Sequence, residues 1–216
     1  MTVSIDRSRT GLVVLLVGAL AGCGGFFHSN ARPEQVYILR AAPTPPGAAL
    51  PPVAASLRMS RPSADPGLDS SQIVLVESDR RMSFFLASRW PAPASNMIEM
   101  LAVEKLRGSR AWQSVADSTS AFPSDYVLQV DIRRFEADYT AGGTAPEVHV
   151  VLDCIVGKRE GREVIANFLA EGSAAANANR MSAVVPAFES ATNAALDSLA
   201  AQTATAVRAS LEARHP

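Results

Sequence analysis

The first 23 residues constrain the fold most, because they divide the chain into a part that is removed and a part that must fold. Arg7 and Arg9 precede an apolar run over residues 11–20, and small residues lead from this run to Cys23. A basic end, a short apolar run and a small-residue cleavage point are the three parts of a secretory signal. A transmembrane helix needs about 20 apolar residues. The sequence therefore predicts a signal peptide over residues 1–22 and no transmembrane helix there.

Residues 20–23 read Leu-Ala-Gly-Cys, which resembles the lipobox of bacterial lipoproteins. The resemblance implies that residues 1–22 are removed and that Cys23 carries a covalent lipid of several acyl chains. Each buried methylene adds about 0.8 kcal/mol to membrane binding, so several chains predict a stable anchor. By the sorting rule of such lipoproteins, Gly24 after the cysteine favours the periplasmic face of the outer membrane. The alternative is an ordinary signal peptide that contains a cysteine by chance.

The remaining chain is long enough for one domain behind a tether. Removal of the signal leaves 194 of the 216 residues and a net charge of about −2. Residues 23–34 are small and polar without an apolar period, and we interpret them as a lipidated tether, with a single domain over residues 35–216. The near-neutral charge predicts no nucleic-acid partner.

Cysteine usage predicts a core without a disulfide. If Cys23 is acylated, Cys154 has no cysteine to pair with. Strand alternation places Cys154 on one face with Val148, Val150 and Leu152. We therefore expect a buried and unreactive thiol.

The order of patterns predicts an α+β domain. Alternation predicts several short strands and one long strand over residues 126–139. Two helices are predicted, one mid-chain over residues 94–107 and one long and C-terminal over residues 184–213. Ser95 is the expected N-cap and Gly108 the expected C-cap of the first, and Pro186 is expected in the first turn of the second. Hairpin-like connections predict a mainly antiparallel sheet covered by the two helices.

No catalytic or metal-binding motif is recognisable, so the sequence predicts a protein that is not an enzyme and has no cofactor other than the covalent lipid. His28, His149 and His215 are scattered, and none has metal-ligand spacing to another ligand. There is no G-x-S-x-G motif and no P-loop. A lipid-anchored hydrolase with an unrecognised site remains an alternative, and His149 is its one interior candidate.

Arg89 and Trp90 are the candidate partner-contact residues. They end a predicted strand just before Pro91, and tryptophan and arginine are frequent interface anchors. The alternative is that Trp90 packs in the core while Arg89 is solvated. The alanine-rich helix face over residues 191–206 is a further candidate, because narrow side chains would permit close packing on a neighbouring subunit in a homo-oligomer.

An ordered set of segments resembles the ABC-type transport auxiliary lipoproteins of Gram-negative bacteria. The segments are the lipobox at Cys23, Tyr37-Ile38-Leu39, Gln72-Ile73-Val74, the Arg89–Trp90–Pro91 segment, residues 126–136 and the closing amphipathic helix.

The resemblance implies an accessory role in moving phospholipid or a similar lipid between the inner and outer membranes. The implied partners are a protein with an MCE (mammalian cell entry) domain and its ABC transporter components. A structural envelope lipoprotein that supports another outer-membrane assembly is the alternative function.

Overall fold

The computed structural model describes residues 33–43 and 50–213. The expected signal peptide, the lipidation site Cys23 and most of the expected tether lie outside the described residues. The described residues from Glu34 onward form one compact unit.

Strands and two helices alternate along this unit. The strands are β1 (Gln35–Val36), β2 (Val53–Met59), β3 (Ser63–Ala64), β4 (Gln72–Val76), β5 (Met82–Arg89), β6 (Trp112–Ala116), β7 (Tyr126–Asp138), β8 (Glu147–Lys158) and β9 (Val164–Ala175). The helices are α1 (Ala94–Gly108) and α2 (Met181–Glu212), and a short 3-10 turn (Glu160–Arg162) joins β8 to β9.

Strand β7 organises the sheet, and it confirms the long strand that alternation predicts. One edge of β7 pairs antiparallel with β8 along its length, and β8 pairs antiparallel with β9. The other edge pairs with the short strands β2, β3 and β4 in turn, all parallel to it. Beyond these lie β6 next to β2, and β5 and then β1 next to β4.

The sheet is therefore mixed, and the prediction of a mainly antiparallel sheet is only partly right. Five of the eight described strand pairings are parallel. Alternation reports which face of a strand is buried but not the direction of its neighbour, so it could not distinguish the two arrangements. The α+β class itself is confirmed.

Helix α1 has the predicted bounds to within one residue, but its two ends are capped differently from the prediction. Pro93 occupies the N-cap position without a side-chain cap, and Ser95 instead uses its backbone N–H to donate to Asp69 Oδ1 at 3.3 Å. Gly108 remains inside the helix, and the chain turns into the left-handed region only at Arg110, with φ of 53°. The Ser109 hydroxyl caps the end by donating to the carbonyl of Leu106 at 2.7 Å.

Helix α2 packs along β8 and β9 through its alanine-rich face. It begins three residues before the predicted start, so Pro186 is its sixth residue and lies beyond the first turn. Ala191, Ala195 and Ala204 are fully buried against the sheet. The narrow side chains therefore permit close packing within this domain, and the interpretation of this face as a subunit contact is wrong for these residues.

Candidate functional site

The described residues do not gather the groups that metal chemistry needs. No set of three histidine, cysteine, aspartate or glutamate side chains is close enough to hold a metal ion within residues 33–43 and 50–213. Within the same ranges, neither helix is long and apolar enough to cross a membrane.

The thiol of Cys154 is buried, as its strand position predicts. Its side chain is inaccessible to solvent, and its sulfur lies 3.6 Å from the carbonyl of Leu152. Burial, together with the negative charge of Asp153, raises the pKa of the thiol to about 12. Since the thiolate is the nucleophilic form, this cysteine is inert at neutral pH.

His149 lies on the face of β8 opposite the helices. Its Nε2 is 3.7 Å from Glu147 Oε2, the only side-chain partner that the described residues provide. A hydrolytic triad requires a nucleophile within hydrogen-bond reach of the histidine. The described contacts of His149 do not include one.

Trp90 is a core residue. Its side chain is 0% exposed, and its ring packs on Phe135 and Phe188 with centroids 5.9 Å and 5.2 Å away. Its backbone N–H donates to the carbonyl of Ser71 at 2.7 Å. The structure therefore corrects the interpretation of Trp90 as a contact residue, because a side chain without accessible surface cannot reach a partner. The ring therefore lies between β7 and α2.

Arg89, unlike Trp90, is partly exposed and forms an ion pair. Its side chain is 40% exposed, and Nε lies 2.8 Å from Glu34 Oε2. Its carbonyl accepts a hydrogen bond of 2.9 Å from the backbone N–H of Tyr37. Arg89 therefore fastens the first residues of the domain to the edge of the sheet.

The exposed large apolar side chains are concentrated at that same edge. The described residues contain eight of them, and half lie on or beside β1 and β5: Val36, Ile38, Met82 and Leu86. Leu86 is the extreme case, with 94% of its side chain exposed. Sequence alternation treats β5 as a regular strand and therefore missed Leu86. We call these four residues the β1–β5 apolar edge.

A basic groove lies at the other end of β7, where β8 turns into β9. It has a volume of about 480 Å³ and is lined by Val127, Gln129, Ile155, Gly157, Lys158, Arg159, Arg162 and Val164. Lys158 is paired with Glu163 at 2.7 Å. The guanidinium groups of Arg159 and Arg162 have no acidic partner among the described residues.

The exposed ring of Phe122 belongs to the same end of the domain. Phe122 is 79% exposed, and the guanidinium of Arg58 donates to its carbonyl. The turn after β8 is tied to this loop, because the backbone N–H of Arg159 donates to the carbonyl of Asp125 at 2.9 Å. We call Phe122, Arg159 and Arg162 the distal surface, because they lie at the end of β7 remote from β1.

Similar folds are known in solved structures. The crystal structure of protein XCC0632 from Xanthomonas campestris, of family DUF330, is 26% identical with a TM-score of 0.74, over 82% of this chain and 99% of that one. A crystal structure of an uncharacterised protein shares the fold at 13% identity and a TM-score of 0.56, over 83% of this chain and 99% of that one. No curated protein sequence matches.

The family itself follows from a match that covers most of the folded unit. The family model for the ABC-type transport auxiliary lipoprotein component matches residues 37–207. The match begins within the segment that follows β1 and ends in the last turns of α2, so it includes the whole sheet from β2 to β9. The chain therefore belongs to the family of ABC-type transport auxiliary lipoprotein components.

Proposed function

We propose that this protein is a non-catalytic, lipid-anchored accessory component of an ABC transport system that moves phospholipid or a similar lipid between the inner and outer membranes. The single observation that carries the proposal is the family match over residues 37–207 behind a lipobox cysteine at position 23. In this proposal the lipid on Cys23 holds the domain at the periplasmic face of the outer membrane. A distant ATPase supplies the energy.

The burial of Cys154 and the contacts of His149 support a non-catalytic role. The thiol of Cys154 is protonated and inaccessible, and His149 contacts a carboxylate without a nucleophile. The domain would then act by binding, and the transported lipid would be handled by the complex that it joins.

The partner in this proposal is an MCE-domain protein, and the distal surface is where we place its contact. Arg159 and Arg162 offer two guanidinium groups without a described acidic partner, and the exposed Phe122 belongs to the loop to which the backbone of Arg159 is hydrogen-bonded. Arginine and aromatic side chains are enriched at interface centres. The partner should therefore present acidic side chains around an apolar pocket.

Co-purification from solubilised membranes tests the function. The mature lipidated chain should retain an MCE-domain protein together with a permease and an ATPase. Recovery of an outer-membrane barrel assembly instead would support the alternative function, a structural envelope lipoprotein. Sucrose-gradient separation of the two membranes tests the outer-membrane location, and a chain found in the inner-membrane fraction would contradict it.

Two variants sharpen the test. Cys23→Ala should leave a folded domain that is released from the membrane, and unchanged membrane association would contradict the anchor. Arg162→Glu should reduce recovery of the MCE-domain protein. Arg180→Glu is the matched control, because Arg180 is also an exposed arginine without an acidic partner among the described residues and lies at the start of α2 instead. Equal losses for the two would contradict the placement of the contact.

A further inference from the structure

The β1–β5 apolar edge is built around a distortion that pushes Leu86 outward. Phe84 and Arg89 of β5 pair with Val74 and Gln72 of β4. Five residues along β5 therefore lie opposite two residues along β4, so β5 contains a bulge. Ala87 within the bulge has φ of 51°, a left-handed conformation that residues with a Cβ rarely adopt. The Ser88 hydroxyl donates to the carbonyl of Leu86 at 3.1 Å and holds the bulge closed. A strained segment that presents a leucine at 94% exposure points to a contact outside this chain.

The chain from the expected lipid anchor arrives at this edge. Gln35 pairs with Ser88, the residue that holds the bulge, and Glu34 forms its ion pair with Arg89. Glu34 follows Cys23 by eleven residues. Fully extended, this segment spans at most about 36–40 Å. The segment that leads from Cys23 therefore joins the domain beside the edge strand that carries Leu86.

The charges around the edge are compatible with a lipid surface. Each acidic side chain of Glu34 and of the β4–β5 turn is ion-paired, since Glu34 pairs with Arg89, and Glu77 and Asp79 both pair with Arg81. Arg80 in the same turn is exposed and without an acidic partner among the described residues. Contact with anionic headgroups would therefore meet no unpaired carboxylate from these residues.

We propose that the β1–β5 apolar edge, with Leu86 at its crest, inserts into the surface of the bilayer that holds the lipid on Cys23. The lipid supplies the affinity, and the inserted side chains fix the orientation of the domain. In this orientation the β1–β5 apolar edge faces the membrane, and the distal surface faces away from it. This inference rests on the anchor at Cys23 in the proposed function.

Site-specific fluorescence on the mature lipidated protein tests the proposal. Leu86→Cys is labelled with a polarity-sensitive nitrobenzoxadiazole dye, and the protein is reconstituted on vesicles of phosphatidylethanolamine and phosphatidylglycerol that carry a spin-labelled quencher lipid. The buried Cys154 does not compete for the label, because its pKa is raised to about 12. Phe122→Cys is the matched control, an exposed apolar position at the opposite end of β7. Val36→Cys provides a second probe of the edge.

The expected result is a blue shift and lipid quenching of the dye at positions 86 and 36, with neither change at position 122. Because the vesicles contain no other protein, a blue shift observed on them comes from the bilayer and not from a protein partner. Vesicle-bound protein whose dye at position 86 emits as in water overturns the proposal and leaves the anchor intact. A lipidated chain that does not float with vesicles overturns both the anchor and this inference.

Discussion

Gly172 of β9 and Ala191 of α2 are in backbone contact. A Cβ added to Gly172 would lie 3.0 Å from the carbonyl carbon of Ala191 and 2.7 Å from the amide nitrogen of Ala195, and closer still to the carbonyl oxygen of Ala191. The atoms in the way are backbone atoms of a helix, which cannot move aside as a flexible side chain can. The glycine and the alanines together set the distance between the helix and the sheet.

Gly172→Ala should therefore destabilise the fold strongly. Overpacking of this kind costs about 1–3 kcal/mol, and we expect a value at the upper end because backbone must shift. Ser173→Ala is the matched control, since Ser173 lies next to Gly172 on the same strand and points to its other face. Urea denaturation followed by circular dichroism measures both free energies of unfolding. Equal midpoints for the two variants would contradict the contact.

Trp90 should contribute to stability and not to partner binding. Trp90→Ala should cost about 3–5 kcal/mol, because it removes a fully buried ring between Phe135 and Phe188. Trp90→Phe should cost much less, since the indole N–H has no hydrogen-bond partner in the described structure and its loss leaves nothing unsatisfied. Denaturation midpoints provide the measurement. A folded Trp90→Phe protein that no longer recovered its partner would contradict the core role.

The sequence predicted strands and helices well wherever apolar residues recur with a single strand-like or helix-like spacing throughout a segment. Strand β7 and helix α2 were found almost to their ends, and Cys154 was placed on the correct face of β8. Each of these depends on a regular pattern of apolar residues within one segment, which local alternation or helical spacing can show.

The features that the sequence did not predict depend on contacts between segments. The parallel pairing of β2, β3 and β4 with one edge of β7 joins segments that are far apart in the chain, and no local pattern records it. The exposure of Leu86 follows from a bulge against β4, and alternation assumes that no bulge exists. The partner of the alanine-rich face is a glycine on a different element. Alanine spacing alone therefore could not separate packing within the domain from packing between subunits.

Lys105 should stabilise the contact between the two helices and the segment after β1. Its side chain is only 5% exposed, Nζ lies 2.5 Å from Asp197 Oδ1 on α2, and it donates to the carbonyl of Ala42 at 3.3 Å. Lys105→Ala should cost about 2 kcal/mol, because the buried stem loses its packing and the Ala42 carbonyl loses its donor. Lys105→Met should recover part of this loss, because it retains an apolar stem.

Glu104→Ala is the control for Lys105, an exposed neighbour on the same helix. Surface substitutions of this kind stay within about 0.5 kcal/mol. Thermal unfolding of the three variants should therefore rank Lys105→Ala as least stable, then Lys105→Met, then Glu104→Ala. A Lys105→Ala protein as stable as Glu104→Ala would show that the ion pair and the buried stem contribute nothing.

Cys154 should make the fold less stable at alkaline pH. The pKa of its thiol rises from a reference value of 9.0 to about 12 in the folded chain, chiefly because burial disfavours the thiolate. Between these values the unfolded chain loses a proton that the folded chain keeps, so rising pH favours unfolding. The stabilisation is fully present below pH 9 and is lost as pH rises toward 12.

Comparison with Cys154→Ala isolates this effect, because all other titrating groups are shared. Above pH 9, the free energy of unfolding of the unsubstituted chain should fall relative to Cys154→Ala by up to about 1.4 kcal/mol per pH unit. Urea denaturation at a series of pH values from neutral to alkaline gives both curves. Parallel curves would mean that the folded thiol titrates as it does in the unfolded chain. Rapid reaction of the native protein with a thiol reagent at neutral pH would independently contradict the burial of this thiol.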